Sequence, residues 1–119
     1  MFEIQILEKP ITVAELRRIA AEGFGDMIKA VVDIENGTVA IGGELHVDIE
    51  TTLMEKDNRA SHNNIWGINI YPDKFDEEDF IEFDSMINLK PALGNRTRGV
   101  GDAAIKEKIR EIVGKIVIR

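Results

Sequence analysis

Phe2, Ile4 and Ile6 alternate with Glu3 and Gln5, the period-two pattern of a strand with one buried face. Pro10 breaks the chain, and Thr12-Val13-Ala14-Glu15 reads as a capping box. Its hydroxyl accepts from the Glu15 amide while the Glu15 carboxylate reaches back to the Thr12 amide. The helix it opens places Val13, Leu16, Ile19 and Ala20 on one face and is predicted to stop at a left-handed Gly23.

The strongest local pattern is Val31-Val32-Asp33-Ile34-Glu35, then Asn36-Gly37, then Thr38-Val39-Ala40-Ile41. Asn-Gly supplies the two positive φ values of a type I′ turn, so a hairpin is predicted with these two residues as its loop. Glu35 then faces Thr38, and Ile34, Val32 and Ala30 face Val39, Ile41 and Gly43. The second strand is expected to run on through Ile49. Val39, Ile41, Leu45, Val47 and Ile49 would form its apolar face, with Glu44, His46 and Asp48 on the other.

A short helical segment over Thr51 to Lys56 and a polar loop from Asp57 to Asn64 come next. Ile65 to Tyr71 predicts a strand with Trp66, Ile68 and Ile70 facing the core; Pro72 ends it, and Asp73 to Asp79 is an acidic connection. Phe80 to Leu89 reads as a further strand, with Ile81, Phe83, Ser85, Ile87 and Leu89 opposite Glu82, Asp84, Met86 and Asn88. Pro91 to Gly101 reads as an irregular loop. Asp102 is a good N-cap for a last helix striped by Ile105, Ile109, Ile112, Val113 and Ile116. Gly114 within that helix is expected to reflect close packing. The sum is a single α+β domain over residues 1–119: one mostly antiparallel sheet of about five strands, with the N-terminal and C-terminal helices packed on its apolar face.

Charge narrows the partners. The 119 residues hold 15 Lys and Arg against 22 Asp and Glu, a net charge of −7. Such a field repels phosphate, which disfavours nucleic acid and anionic membranes as partners. There is no cysteine, and so no disulfide, thiol nucleophile or Cys-ligated zinc. No apolar run approaches the ~20 residues of a membrane helix. The acidic start also lacks the basic and apolar regions of a signal peptide, so a cytoplasmic location is expected.

If both helices cover one sheet face, the other collects Asp33, Glu44, His46, Asp48, Asn69, Tyr71, Glu82, Asp84 and Asn88. Residues i and i+2 of a strand share a face about 6–7 Å apart. His46 and Asp48 can then converge on one divalent metal with Glu44 or Asp84, a donor set suited to Zn²⁺, Mn²⁺ or Fe²⁺. Without metal, Glu44, His46 and Asp84 are candidates for acid–base catalysis, since carboxylates tune a neighbouring imidazole. The plainer explanation is a solvated face, with Glu44 paired to Lys29 across the hairpin and Asp48 capping the segment after it.

A second candidate is Gly94-Asn95-Arg96-Thr97-Arg98-Gly99, in which Asn95, Arg96 and Arg98 would bind an anion through guanidinium forks and backbone amides. The same arginines could instead tie the loop to the acidic sheet face. The loop is neither a Walker nor a Rossmann motif, and G-x-S-x-G and H-E-x-x-H are absent. Asp76 to Asp79 lacks the alternating ligand pattern of an EF-hand. Trp66 reads as core, and His62 has no partner at a diagnostic spacing.

The strings GDMIKAVVDIE, AIGGELHVD, WGINIYP and IEFDSMINLKPALGNRTRGV, with the Ile-rich last helix, resemble a family of small prokaryotic proteins of unknown function, over a span from Ile11 to about Val117. The resemblance implies a prokaryotic cytoplasmic protein and carries no activity or catalytic residue. The expected function is a small binding or interaction domain, for a small anionic ligand, another protein or a second copy through exposed sheet edges. The alternative is a metal-assisted hydrolase acting on a small anionic substrate. No cofactor is fixed by the sequence; a divalent metal is the one implied by the alternative.

Overall fold

A computed structural model describes residues 2–119. In chain order its elements are β1 (Gln5–Leu7), β2 (Ile11–Thr12), α1 (Val13–Glu22), β3 (Ile28–Asp33), β4 (Thr38–Ile41), α2 (His46–Lys56), β5 (Ile65–Ile70), β6 (Ile81–Glu82), α3 (Ala103–Ile116) and β7 (Val117–Ile118). Five strands form one sheet in the order β1-β4-β3-β5-β6, antiparallel throughout. The fold class is α+β. A short parallel pair, β2 with β7, joins the start of α1 to the end of α3 and has no counterpart in the sequence reading.

The helix caps follow from local chemistry. Thr12 Oγ1 accepts from the Glu15 amide at 3.1 Å, and Asp102 Oδ1 accepts from the Ala104 amide at 2.8 Å. Glu15 does not complete the box; its carboxylate instead holds Arg18 at 2.8 and 2.7 Å, a charge-assisted fork one turn along. Gly23 closes α1 through its amide to Ala20 O, but at φ −116° rather than in the left-handed region.

The hairpin forms with a longer loop than predicted. Asp33 faces Thr38 and Val32 faces Val39, so Ile34 to Gly37 all lie in the turn. Buried Asp33 is the cause. Its carboxylate accepts from the Glu35 and Asn36 amides at 3.0 and 3.1 Å, diverting both from strand pairing. The register moves by two, so each residue keeps its face.

The long second strand is corrected. It stops at Ile41, where Gly42 and Gly43 take φ values of +91° and +78° and turn the chain out of the sheet. A Cβ on Gly42 would lie 1.9 Å from Glu3 O, so only glycine fits beneath the N-terminal segment. Helix α2 follows at once. His46 and Asp48 therefore stand on a helix, five residues before the predicted helical segment begins.

The two sheet faces are covered differently. On the first, Ala30, Val32, Trp66 and Ile68 pack with Leu16 of α1 and Ile109 and Val113 of α3. On the second, Val31, Ala40 and Ile65 pack against Ile49 and Leu53 of α2 and Ile87. All six residues of β5 are buried, which overturns the expectation of a solvated second face. The strand expected over residues 80–89 is also corrected. It lasts two residues, after which Ser85 caps a single turn at Met86–Asn88 by accepting from the Ile87 amide.

Candidate functional site

β6 pairs only with Asn69 and Ile70, which leaves the middle of β5 without a strand on that side. Asn88 fills the gap. Its Oδ1 accepts from the Gly67 amide at 2.8 Å and its Nδ2 donates to Gly67 O at 3.0 Å, the two bonds a strand would have made. The same Nδ2 donates to Arg98 O at 2.9 Å, and the Ser85 amide donates to that carbonyl as well. Side chains press onto Gly67 from above: a Cβ there would lie 2.5 Å from Ser85 Oγ and 3.1 Å from His46 Cδ2. Glycine is required at this position so that the polar cluster can sit on the sheet.

His46 opens α2 and reaches down to the sheet, its Nε2 lying 2.8 Å from Ile68 O. A carbonyl only accepts, so Nε2 carries the proton and the neutral ring keeps Nδ1 as an acceptor. Burial pushes its pKa below the ordinary histidine value, and the Lys29 and Arg98 cations add to this against the Ile68 carbonyl and Asp84. Asn69, two residues beyond Gly67 on the same face, is 6% exposed and stands between Lys29 of β3 and Glu82 of β6. Its Nδ2 donates to Glu82 Oε1 at 2.8 Å, as does the Tyr71 hydroxyl at 3.1 Å. Its Oδ1 is buried with no hydrogen-bond partner. Lys29 makes no ion pair among the described residues; its ammonium lies 5.3 Å from the centre of the Phe24 ring.

The predicted site residues divide between this cluster and the surface. His46, Asp84 and Arg98 lie within electrostatic reach of one another, with Arg98 Nε 2.6 Å from Asp84 Oδ1. Glu44 in the turn before α2 and Asp48 in its first turn are both exposed. Among the described residues no three His, Asp or Glu side chains are grouped to hold a metal ion, so the set Glu44, His46, Asp48 and Asp84 is not assembled as one centre. The strand spacing that suggested it was lost when Gly42 and Gly43 ended β4. The expected Glu44–Lys29 ion pair is likewise absent among the described residues, because Gly42 takes the place beside Lys29.

In the Gly-Arg loop, Asn95 is buried and faces inward. Its Nδ2 donates to the carbonyls of Asn88 and Gly99 at 2.7 and 2.8 Å, and its Oδ1 accepts from the Gly101 amide at 2.9 Å. It builds the loop and has no capacity left for an anion. Both arginines are exposed, and Arg98 is the one whose charge acts on His46.

A second polar chain leaves α2 one turn after His46, at Glu50, and was not visible in the sequence. Glu50 Oε2 is 2.6 Å from His62 Nδ1, and His62 Nε2 is 3.3 Å from Lys90 Nζ. Lys90 also donates to His62 O and Ile87 O at 2.7 and 3.0 Å. A lysine donor facing Nε2 sets the neutral tautomer of His62, with Nδ1–H donating to Glu50. Burial pushes Lys90 down to about 8, with Glu50 opposing. All three Lys90 protons are engaged, which fits a buried tie between loops. No spacing announces it, because its members come from three separate segments.

Neither the curated proteins nor the solved structures give a match to this chain. One family does match, described as protein of unknown function (DUF5674), over residues 5–116. That span takes in every element from β1 to α3 and the whole polar cluster, and the chain belongs to this family.

Proposed function

We propose that this chain is a binding domain for a small acid that also carries a hydrogen-bond donor, such as a hydroxy acid or an amino acid, held by Lys29, His46, Asn69 and Arg98. The carrying observation is Asn69, a buried amide oxygen with no partner, at the strand position paired with Lys29, whose ammonium makes no ion pair among the described residues. Buried polar groups are nearly always satisfied, and an acceptor that the protein's own donors leave unpaired asks for a donor from outside. The Oδ1 of Asn69 and the Nδ1 of His46 are acceptors, which selects a ligand bearing N–H or O–H. Lys29 draws an acidic group, and so does the start of α2, whose N-cap Leu45 supplies no side-chain bond to the first amides. Asp84 holds Arg98 at the same end and sets its direction.

The test is an amide and side-chain ¹⁵N titration with glycolate, lactate, malate, glycine and glutamate. Acetate serves as the control without a donor, and ethylene glycol as the control without an acid. At least one donor-bearing acid is expected to shift Lys29, His46 and the Asn69 side-chain amide saturably, with acetate at least tenfold weaker. Asn69→Leu and Lys29→Ala, each checked for an unchanged fold by circular dichroism, are expected to abolish the response. No saturable shift up to about 10 mM, where a site of Kd ~1 mM would be filled, would refute the reading. Shifts that survive both substitutions would also refute it.

A further inference from the structure

The acidic connection after β5 and the helix α3 enclose a groove of about 600 Å³. Its floor is apolar: Phe75, Phe80, Ile81, Val113 and Val117. That size lies within the range of small-molecule sites, about 300–1,000 Å³.

Gly114 forms part of the wall. Glycine is the poorest helix former after proline, and here it stands inside a 14-residue helix. The close packing expected of it is not found, since a Cβ built on Gly114 meets nothing within 4 Å. What glycine does at this point is leave the groove open.

The rim is acidic. Asp76 is paired with Arg119, but Glu77 and Glu78 make no ion pair among the described residues. Arg110, the basic residue of the lining, is turned toward Glu107 at 3.7 Å and lies 5.2 Å from the Phe83 ring. The chain itself shows what this rim accepts: the Arg119 guanidinium sits between the Asp76 carboxylate and the Phe75 ring, 5.0 Å from the ring centre. Glu77 is also felt by the Lys74 ammonium, without an ion pair between them, and an apolar floor below the Glu77 and Glu78 carboxylates is complementary to one class of ligand.

We propose that this groove binds a small organic cation with an apolar body, an aryl or alkyl amine, seated on Val113 and Phe80 with its ammonium against Glu77 and Glu78. The site is separate from the His46 cluster and rests on none of its residues. The probe is 2-phenylethylamine, compared with 2-phenylethanol and 3-phenylpropionate as neutral and anionic controls of similar shape, each titrated by ¹⁵N chemical shift on the whole chain.

The amine is expected to shift Val113, Gly114 and Val117 saturably, with the alcohol at least tenfold weaker and the acid without effect. The Glu77→Gln/Glu78→Gln double variant is expected to bring the amine down to the level of the alcohol. Gly114→Leu places a side chain in the open space without a clash at Cβ and improves the helix, so it is expected to fold and to abolish binding. Equal binding of amine and alcohol would overturn the proposal. So would binding that survives Gly114→Leu, or no saturable shift in the groove.

Discussion

The two faces of the sheet are covered by the same kinds of element, yet they are held by different physics. The first is closed by α1 and α3 with apolar side chains, the buried Trp66 indole N–H being its one polar atom without a partner among the described residues, and Leu16, Ile68, Ile109 and Val113 are fully buried there. Its stability comes from area removed from water, at about 25 cal/mol per Å². The second is apolar only beneath the body of α2. Toward the start of that helix it becomes polar, with His46, Ser85, Asn88 and Asn69 grouped on and around Gly67. Bonds of this kind add only about 1 kcal/mol each when made but cost about 1–3 kcal/mol when a partner is left orphaned. The difference teaches where to look for function. A face that could have been closed with leucines carries instead a buried amide with a free oxygen.

The sharpest test of the contrast removes one key residue from each face. Trp66→Ala empties the largest buried side chain of the first face and is expected to cost about 3–5 kcal/mol in urea denaturation. Asn88→Leu keeps the branching of the side chain but strips Gly67 and the Arg98 carbonyl of three bonds, with an expected loss of about 2–4 kcal/mol. A negligible loss for Asn88→Leu would mean that water or backbone replaces the clamp, and the contrast would fail. Gly67→Ala pushes a methyl into Ser85 and His46 and is expected to cost about 1–3 kcal/mol. His46→Ala in the same background should relieve part of that cost.

The smallest effect is in pH. Burial lowers the folded pKa of His46, so the unfolded chain takes up its proton first as the pH falls below about 6.5. Stability present above that value is therefore lost as the pH falls toward the lower folded pKa, at about 1.4 kcal/mol for each unit of depression. Urea midpoints measured from pH 7.5 downward should show this slope, and His46→Gln should flatten it.

What could be read from the sequence was whatever depended on near neighbours. Thr12 and Asp102 capped their helices, and the alternation of Trp66, Ile68 and Ile70 placed one face of β5 in the core. The hairpin was legible, but its register was not, because the deciding interaction was the Asp33 carboxylate reaching into its own turn. α2 was hidden by a coincidence of period. Leu45, Val47 and Ile49 alternate like a strand, and only the positive φ of Gly42 and Gly43 frees Ile49 and Leu53 to act as one helical face. The polar cluster was half legible. His46 and Asp84 stood out by residue type, whereas Asn69 and Asn88 were placed on the polar face without a role and gained their importance from a gap in strand pairing far along the chain. Asn95 was assigned to an anion because it stands between glycine and arginine, and it serves as the internal brace of its loop.

The most direct test of the polar face is the state of the His46 ring, read by long-range ¹H–¹⁵N correlation from pH 4 to pH 8. The expected result is a single Nε2–H tautomer with an unprotonated Nδ1, held by the Ile68 carbonyl and titrating well below the ordinary histidine value. A mixture of tautomers titrating near 6.5 would place His46 in solvent, and the second face would be an ordinary wet surface.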